Sequence, residues 1–363
     1  MSASGGIALH DPLRLPEPSG AIQAQRVHQH RAVIRRLKKL THDTYELCVD
    51  VISAGHPIHA RAGQFATLQF PGVERPRPYS FARDPRAGDG KAFTFFIRQV
   101  AGGEVSTWLA EGEREGTEIG IAGPMGNFAL DRSERSMLCV AGGSGISAII
   151  AILEQACSAQ VERDCVFFYG ARTTADLYCG DLIADLKARW HPRHTLQFTQ
   201  VLSDERADSE WQGPRGLITD YIQRSWLNTE HVNLATSAAF FCGPPPMIEA
   251  GVAMLRNAGM ALEHIHRDEF EDARSPAPVI DNRRCVLCDE CLLVKPVEHC
   301  IIETAGLDGG RPIAIKPAHS SGLYYNRLLI DDTQCIRCYA CVSACPHGAI
   351  SPEFLSGGTL REA

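Results

Sequence analysis

The chain has 363 residues, 44% hydrophobic and 22% charged, with a formal net charge of −7. That length exceeds one ordinary core and predicts two or three domains, and the negative balance argues against a nucleic-acid binder, which usually presents a basic face. The fourteen cysteines do not read as a secreted disulfide scaffold: the chain is long, no signal-peptide pattern opens it, and the cysteines cluster at metal-ligand spacing. No apolar run approaches the roughly 18 residues of a membrane span. A cytoplasmic protein is expected.

Residues 1–28, with scattered Gly and Pro and no periodicity, are expected to form a flexible extension. From 29 to 130, short alternating strands such as E-L-C-V-D-V and F-T-F-F-I-R are broken by Gly and Pro. They predict an antiparallel β-barrel with one short helix near 105–110. From 131 to 272 the texture changes: apolar runs (M-L-C-V-A, C-V-F-F-Y-G, L-Q-F-T-Q-V, A-A-F-F-C-G) alternate with helical segments such as 146–156. That alternation predicts a parallel α/β sheet. A linker over 273–282, containing S-P-A-P, leads into a small α+β region over 283–363 that holds two cysteine runs, which read as an internal duplication.

The second run, Cys335-x2-Cys338-x2-Cys341-x3-Cys345-Pro346, has bacterial-type 4Fe–4S spacing. The first is Cys285-x2-Cys288-x2-Cys291, with Cys300 delayed by an eight-residue gap. C-x2-C-x2-C wraps three thiolates on a tight loop and a distant cysteine supplies the fourth corner, taken from the other run in two-cluster ferredoxins. The expected sets are Cys285, Cys288, Cys291 and Cys345 for one cluster, and Cys300, Cys335, Cys338 and Cys341 for the other. Zinc also accepts four cysteines, but usually from paired C-x2-C knuckles without a third cysteine two residues on. The stretch over 285–350 resembles the two-cluster ferredoxin family. It departs in the gap before Cys300 and in the 34 residues between Cys300 and Cys335, which carry Tyr324-Tyr325. That insertion could shield a cluster, form a docking surface, or be a tolerated surface loop.

Upstream, Arg77-Pro78-Tyr79-Ser80 sits at a strand start, and G-G-E-V-S-T (102–107) opens a helix. A Gly-rich turn feeding a helix N-terminus offers free N–H groups to a pyrophosphate. Arginine can fork onto phosphate and tyrosine can stack on a flat ring. Each motif alone is weak, since R-P-Y-S is more often an ordinary turn. Further on, A-G-G-S-G-I-S gives a strand, a Gly-rich turn (Gly142, Gly143, Gly145) and a helix, as a dinucleotide site requires. Y-G-A-R (169–172), D-L-Y (176–178) and C-G-P-P-P-M (242–247) follow.

Taken together over about 30–270, these motifs resemble the ferredoxin–NADP reductase superfamily, in its oxygenase-reductase-like branch. The resemblance implies that Arg77 contacts a flavin phosphate, with Pro78 in the same motif. It implies that Tyr79 packs on the isoalloxazine and that Ser80 hydrogen-bonds near flavin N5. Phe96, Ile97 and Arg98 would line the flavin, and Gly103, Val105 and Ser106 would hold the pyrophosphate of FAD. Cys242, with Gly243 and Pro244, would sit beside the nicotinamide as an orienting group and not a covalent nucleophile. Cys48, Cys139, Cys157, Cys165 and Cys179 read as small buried hydrophobes. Phe270 would either gate the nicotinamide or pack the domain junction. Arg172 and Arg215 are candidates for a 2′-phosphate, yet the acidic run L-S-D-E-R-A-D-S-E (202–210) would repel one, which favours NADH over NADPH.

The expected activity is therefore an NAD(P)H-dependent oxidoreductase that passes electrons from NAD(P)H through FAD and two 4Fe–4S clusters to a redox partner such as an oxygenase component. The parts resemble the reductase component of benzoyl-CoA epoxidase systems, where the ferredoxin module precedes the reductase instead of following it. Ligand spacing does not fix direction. A ferredoxin–NAD(P)+ oxidoreductase working towards NAD(P) reduction, or a relay subunit of a larger complex, fits the same motifs.

Overall fold

The computed structural model describes residues 27–53, 57–228, 233–269, 277–305, 307–308, 311–312, 316–317 and 324–351. Nearly all of the expected extension, Phe270 and the first part of the expected linker lie outside them.

Six antiparallel strands form the first domain: β1 (His28–Lys39), β2 (Thr44–Val51), β3 (Phe65–Gln69), β4 (Arg77–Ser80), β5 (Ala92–Arg98) and β6 (Glu118–Met125), in the order β4-β3-β6-β1-β2-β5. Phe81, one residue past β4, bridges to Phe95 of β5, so the two edge strands nearly close a barrel. Alternation along β5 decides what faces where. Phe93, Phe95 and Ile97 enter the barrel core, whereas Phe96 points out and packs with the next domain. Helix α1 (Glu104–Ala110) adds Val105 and Leu109 to the barrel core.

The second domain is a parallel sheet of β7 (Ser136–Gly142), β8 (Cys165–Ala171), β9 (Leu196–Leu202), β10 (Ser237–Gly243) and β11 (Ile265–Glu269), in the order β11-β10-β7-β8-β9. The chain runs outward from β7 to β9 and then returns to β10 on the other side of β7. The crevice between the carboxyl ends of β7 and β10 is thus the topological switch point where such sheets bind ligands. Helix α2 (Ile146–Ser158) is apolar almost all round because it is enclosed, packing the sheet together with Ala62, Ala82, Phe96 and Phe128 of the barrel domain. Its one buried acid, Glu154, accepts from Arg83 Nε at 2.5 Å and Asp84 N–H at 2.8 Å, which fixes the two domains together. Helices α3 (Gly180–Arg189), α4 (Ile218–Ser225) and α5 (Pro245–Asn257) complete the layers.

The C-terminal module is a duplicated unit of strand, cysteine loop, helix and strand. The first copy is β12 (Val279–Ile280), α6 (Glu290–Leu293) and β13 (Ile301–Thr304). Two short pairs follow, β14 (Leu307–Asp308) with β15 (Arg311–Pro312) and β16 (Lys316–Pro317) with β17 (Tyr324–Tyr325). The second copy is β18 (Arg327–Ile330), α7 (Ala340–Ala344) and β19 (Ile350–Ser351). Each copy's first strand pairs antiparallel with the other's last, β12 with β19 and β18 with β13. Both copies read I-D-x3-C, and in both the cysteine N–H returns to the aspartate carbonyl: Cys285 to Asp281 at 2.9 Å, and Cys335 to Asp331 at 2.8 Å.

Candidate active site

Strand β4 carries the R-P-Y-S motif, and the register opposes Ser80 to Phe65 and Tyr79 to Ala66 on β3. Ser80 is 3% exposed, and its Oγ is buried without a hydrogen-bond partner. An orphaned buried hydroxyl costs free energy unless something outside the protein meets it, and a flavin ring edge is such a group. Tyr79 alternates to the other face, beside Arg77. Burial raises the Tyr79 phenol well above its usual range, so its ring stays neutral. The Arg77 guanidinium lies 3.6 Å from Glu104 at the start of α1. A β-carbon on Gly103 would lie 3.1 Å from both the Val100 carbonyl and Ser106 Oγ. Ser106 Oγ accepts the Val100 N–H at 2.6 Å and so shapes the loop. The Val105 and Ile97 side chains are in the barrel core, so any contact they make with a cofactor uses their backbone.

A cavity of about 290 Å³ opens at the carboxyl ends of the parallel strands, bounded by Gly142, Gly143, Gly170, Arg172, Pro244 and Met247, and on the barrel side by Asp43, Thr44 and Arg98. Close backbone approach explains the glycines here. A β-carbon on Gly145 would lie 2.1 Å from the Cys242 carbonyl oxygen, and one on Gly142 would lie 2.6 Å from Met247 Sδ. Gly243 has φ +154, at the turn from β10 into α5. Cys242 is fully buried and is not among the cavity's lining residues, although its neighbours Pro244 and Met247 are. Burial, and then the Asp268 carboxylate 3.8 Å from its Sγ, push its thiol well above the ordinary value. It is a protonated packing group at neutral pH.

Charged and aromatic contacts join the two domains at this mouth. Arg98 Nε donates to Asp43 Oδ2 at 2.8 Å, and the Arg98 and Arg172 guanidinium groups lie 3.9 and 3.8 Å from Asp176 Oδ1. Phe96 meets Tyr178 edge-on with centroids 5.5 Å apart, and Tyr178 meets Tyr169 edge-on at 6.1 Å. Arg215 instead turns to Ser209 Oγ at 3.2 Å and does not line the cavity. Asp43 carried no sequence signal, because its role depends on a tertiary meeting of β2 and β5 with the second domain. Tyr178 and Met247 were visible only as members of their motifs.

The cysteine runs cross over. Cys345 of the second run lies with Cys285, Cys288 and Cys291, lining one hollow with Ile280 and Ile350. Cys300 of the first run lies near Cys335 and Cys338. Burial first, and then the neighbouring thiols, push Cys291 and Cys338 up to about 12 and Cys300 to about 11, so a bound cationic core would have to displace these protons. Leu287 and Asp289 in the first loop, and Arg337 and Tyr339 in the second, all have φ between 52 and 66. Left-handed backbone at non-glycine residues costs roughly 1–2 kcal/mol each, and the same pair of positions in both copies wraps each loop around a centre. Among the described residues, no three cysteine sulfurs lie within 4.8 Å of one another. Tetrahedral zinc, with Zn–S of about 2.3 Å, would bring them to about 3.8 Å.

A six-stranded antiparallel barrel, set against a parallel sheet with a crevice at its switch point, is the architecture of flavin- and nicotinamide-binding reductases. The sequence matches the Oxidoreductase FAD-binding domain over 31–130, the Oxidoreductase NAD-binding domain over 139–252 and the 4Fe-4S binding domain over 328–351. It is 37% identical over 241 residues to the xylene/toluene monooxygenase electron transfer component XylA of Pseudomonas putida, covering 66% of this chain and 65% of that one. It is 31% identical to the ferredoxin–NAD(P)(+) reductase CarAd of Metapseudomonas resinovorans, covering 67% of this chain and 70% of the relative. The solved ferredoxin reductase in carbazole 1,9a-dioxygenase superposes with a TM-score of 0.58 at 29% identity, covering 68% of this chain and 70% of that one. The chain belongs to the FAD- and NAD-binding ferredoxin reductase family and carries a 4Fe–4S domain at its C-terminal end. It spans 65% of the length of XylA and of the naphthalene 1,2-dioxygenase system reductase component of Pseudomonas putida.

Proposed function

We propose that this protein is an NAD(P)H-dependent reductase that carries electrons through FAD and two 4Fe–4S clusters to a partner protein, an oxygenase component. The observation that supports this reading best is spatial. The nucleotide cavity is walled by the flavin-domain residues Asp43, Thr44 and Arg98, and the cysteine module packs on the same barrel through Phe65 and Met125. The names of the relatives, electron transfer and reductase components of monooxygenase and dioxygenase systems, point to an oxygenase acceptor.

FAD, when bound, accepts a hydride and releases its two electrons singly; the chain's residues bind, orient and shield. Arg77 and the backbone of Gly103 to Ser106 would hold its phosphates, Tyr79 and Phe96 its ring region, and Ser80 Oγ would meet its polar edge. Gly142 and Gly143 would give the dinucleotide its close backbone approach, and Gly145 lets the turn pack against the Cys242 carbonyl behind them, with Gly243 and Pro244 shaping the opposite wall and Arg172 at the rim. The protonated Cys242 thiol packs behind that wall and stays out of covalent chemistry. Asp204 and Glu205 adjoin Arg172, through the bonds from Asp204 N–H to the Arg172 carbonyl at 2.8 Å and from Thr174 N–H to Glu205 at 2.6 Å. They favour NADH by repelling a 2′-phosphate.

The two cysteine quartets are the cluster ligands in this reading, supported by their crossing, the repeated left-handed loops and the open sulfur spacing. We assign domains at 29–130, 131–272 and 283–363, with the linker at 273–282. No described helix is long and apolar enough to cross a membrane. Fourteen unpaired cysteines favour a cytoplasmic setting. Anaerobic titration tests the whole scheme: NADH should bleach flavin absorbance and then the cluster bands. Absence of flavin, or a flavin that NADH leaves oxidised, would overturn it.

A further inference from the structure

The two cysteine quartets are not equivalent in the fold: among the described residues, one contributes a cysteine to the packing against the flavin domain and the other does not. Val294 and Ala340 are buried against Phe65 and Met125 of the barrel, and Val27, Cys338 and Ala344 close around them. Two bonds hold this seat, Val27 N–H to the Leu293 carbonyl at 2.9 Å and Asn127 Nδ2 to the Ser343 carbonyl at 2.9 Å. Cys338 belongs to the quartet with Cys300, Cys335 and Cys341. Phe65 of the cluster that Cys338 packs against stands directly opposite Ser80 in the β3–β4 register, and opposed residues of antiparallel strands share a face. From the orphaned Ser80 hydroxyl the path to this quartet therefore leads through the packed cluster that holds Phe65 and Cys338.

The other quartet looks outward. Cys285, Cys291 and Cys345 pack only with residues of their own module among the described residues. Cys288 is exposed, next to Val286 at 59% exposure and close to exposed His347. The quartets themselves share one apolar core through Cys291, Cys300, Cys341 and Cys345. Electron transfer weakens exponentially with distance, so contact order becomes transfer order.

We propose that the Cys300, Cys335, Cys338 and Cys341 quartet is the entry from the flavin domain, by way of Phe65, and that the Cys285, Cys288, Cys291 and Cys345 quartet is the exit to the acceptor. Chain order is thereby reversed, the later cysteine run acting first. This rests on the reading above. One NADH gives a hydride, hence two electrons, and becomes NAD+. Both electrons pass singly through entry and exit to a protein that is a one-electron oxidant, reduced twice, and the flavin proton returns to solvent.

The test compares Cys338→Ser and Cys288→Ser in the full-length holoprotein. Rapid-freeze electron paramagnetic resonance counts the remaining cluster after NADH or after dithionite. Cys288→Ser should leave the Cys335-run cluster reducible by NADH. Cys338→Ser should leave the Cys285-run cluster reducible by dithionite but slow its reduction by NADH about a hundredfold, as a lost near-contact does. The opposite pattern, or equal NADH rates in both variants, overturns the order. Ala340→Glu, which keeps all eight cysteines, covers the case of a variant that loses both clusters. It should leave flavin reduction by NADH unchanged and slow both cluster signals together by about tenfold; unchanged cluster kinetics overturns the proposal. A wild-type flavin that NADH fails to reduce is a different outcome and removes the underlying reading instead.

Discussion

The Tyr325 hydroxyl donates a 2.6 Å hydrogen bond to Asp289 Oδ1, across 36 positions of sequence. Asp289 sits between Cys288 and Cys291 in left-handed backbone, φ +66, and Tyr325 is 1% exposed against Cys291 and Cys300. The insertion between Cys300 and Cys335 thus returns a side chain to brace the first cysteine loop. Tyr325→Phe keeps the ring and removes the brace. Groups that orient metal ligands typically govern about 10–100-fold in metal affinity or activity. Chelator-driven bleaching of the iron–sulfur band is expected to accelerate about tenfold, with flavin content unchanged. Equal bleaching rates would reduce Tyr325 to a space-filler.

Ser80→Ala removes a hydroxyl that makes no bond within the protein. Unfolding temperature should hold or rise slightly, because no buried polar atom is stranded by the change. Flavin reduction by NADH should slow by about a hundredfold, the usual effect of deleting one preorganised polar contact at a reacting centre. Stopped-flow absorbance at the flavin band reads the rate directly. A large fall in stability with normal kinetics would reassign Ser80 to structure.

Gly145→Ala places a methyl group 2.1 Å from the Cys242 carbonyl oxygen. Backbone on both sides leaves little room to yield, so a loss of about 1–3 kcal/mol is expected. The damage should be local to the nucleotide crevice: FAD stays bound while NADH no longer reduces it. Flavin fluorescence together with NADH titration separates these, and simultaneous loss of FAD would contradict a crevice-confined effect.

Asp43 gives the domain junction an acid limit. Partial burial pushes its carboxyl up, but the hydrogen bond and charge of Arg98, with bonds from Thr44 and Thr41, outweigh it and hold the carboxyl below its ordinary 3.8. A carboxylate depressed on folding adds stability that is fully present above the unfolded value and disappears as pH falls through the folded one. Asp43→Asn should therefore flatten the dependence of unfolding temperature on pH below about pH 4, and lower stability at pH 7. Parallel wild-type and variant melting curves from pH 7 downwards would show an unchanged acid limb if Asp43 were electrostatically idle.

Much of the architecture was legible because each module announces itself locally. Period-two alternation in F-T-F-F-I-R, the apolar run before Gly142 and the C-x2-C-x2-C loops all depend on neighbours within a few residues. The resemblance drawn from R-P-Y-S, G-G-S-G-I-S and C-G-P-P-P-M supplied the cofactors. Asp43, Phe65 and Tyr325 were not legible, since each acts through partners distant in sequence: Asp43 through Arg98, Phe65 through the cluster it shares with Val294 and Ala340, Tyr325 through Asp289. Spacing also could not say which cysteine loop would rest on the barrel, because the two loops differ little in pattern and only packing breaks their symmetry.

The seat formed by Val27, Asn127, Leu293 and Ser343 has a kinetic corollary. A donor and its first recipient held in one chain react as a unimolecular pair, whose effective concentration is set by the seat and not by how much protein is in solution. Internal filling of the iron–sulfur module should then be indifferent to dilution. Concentration dependence, and any competition among rival acceptors, would be confined to the last, intermolecular hop.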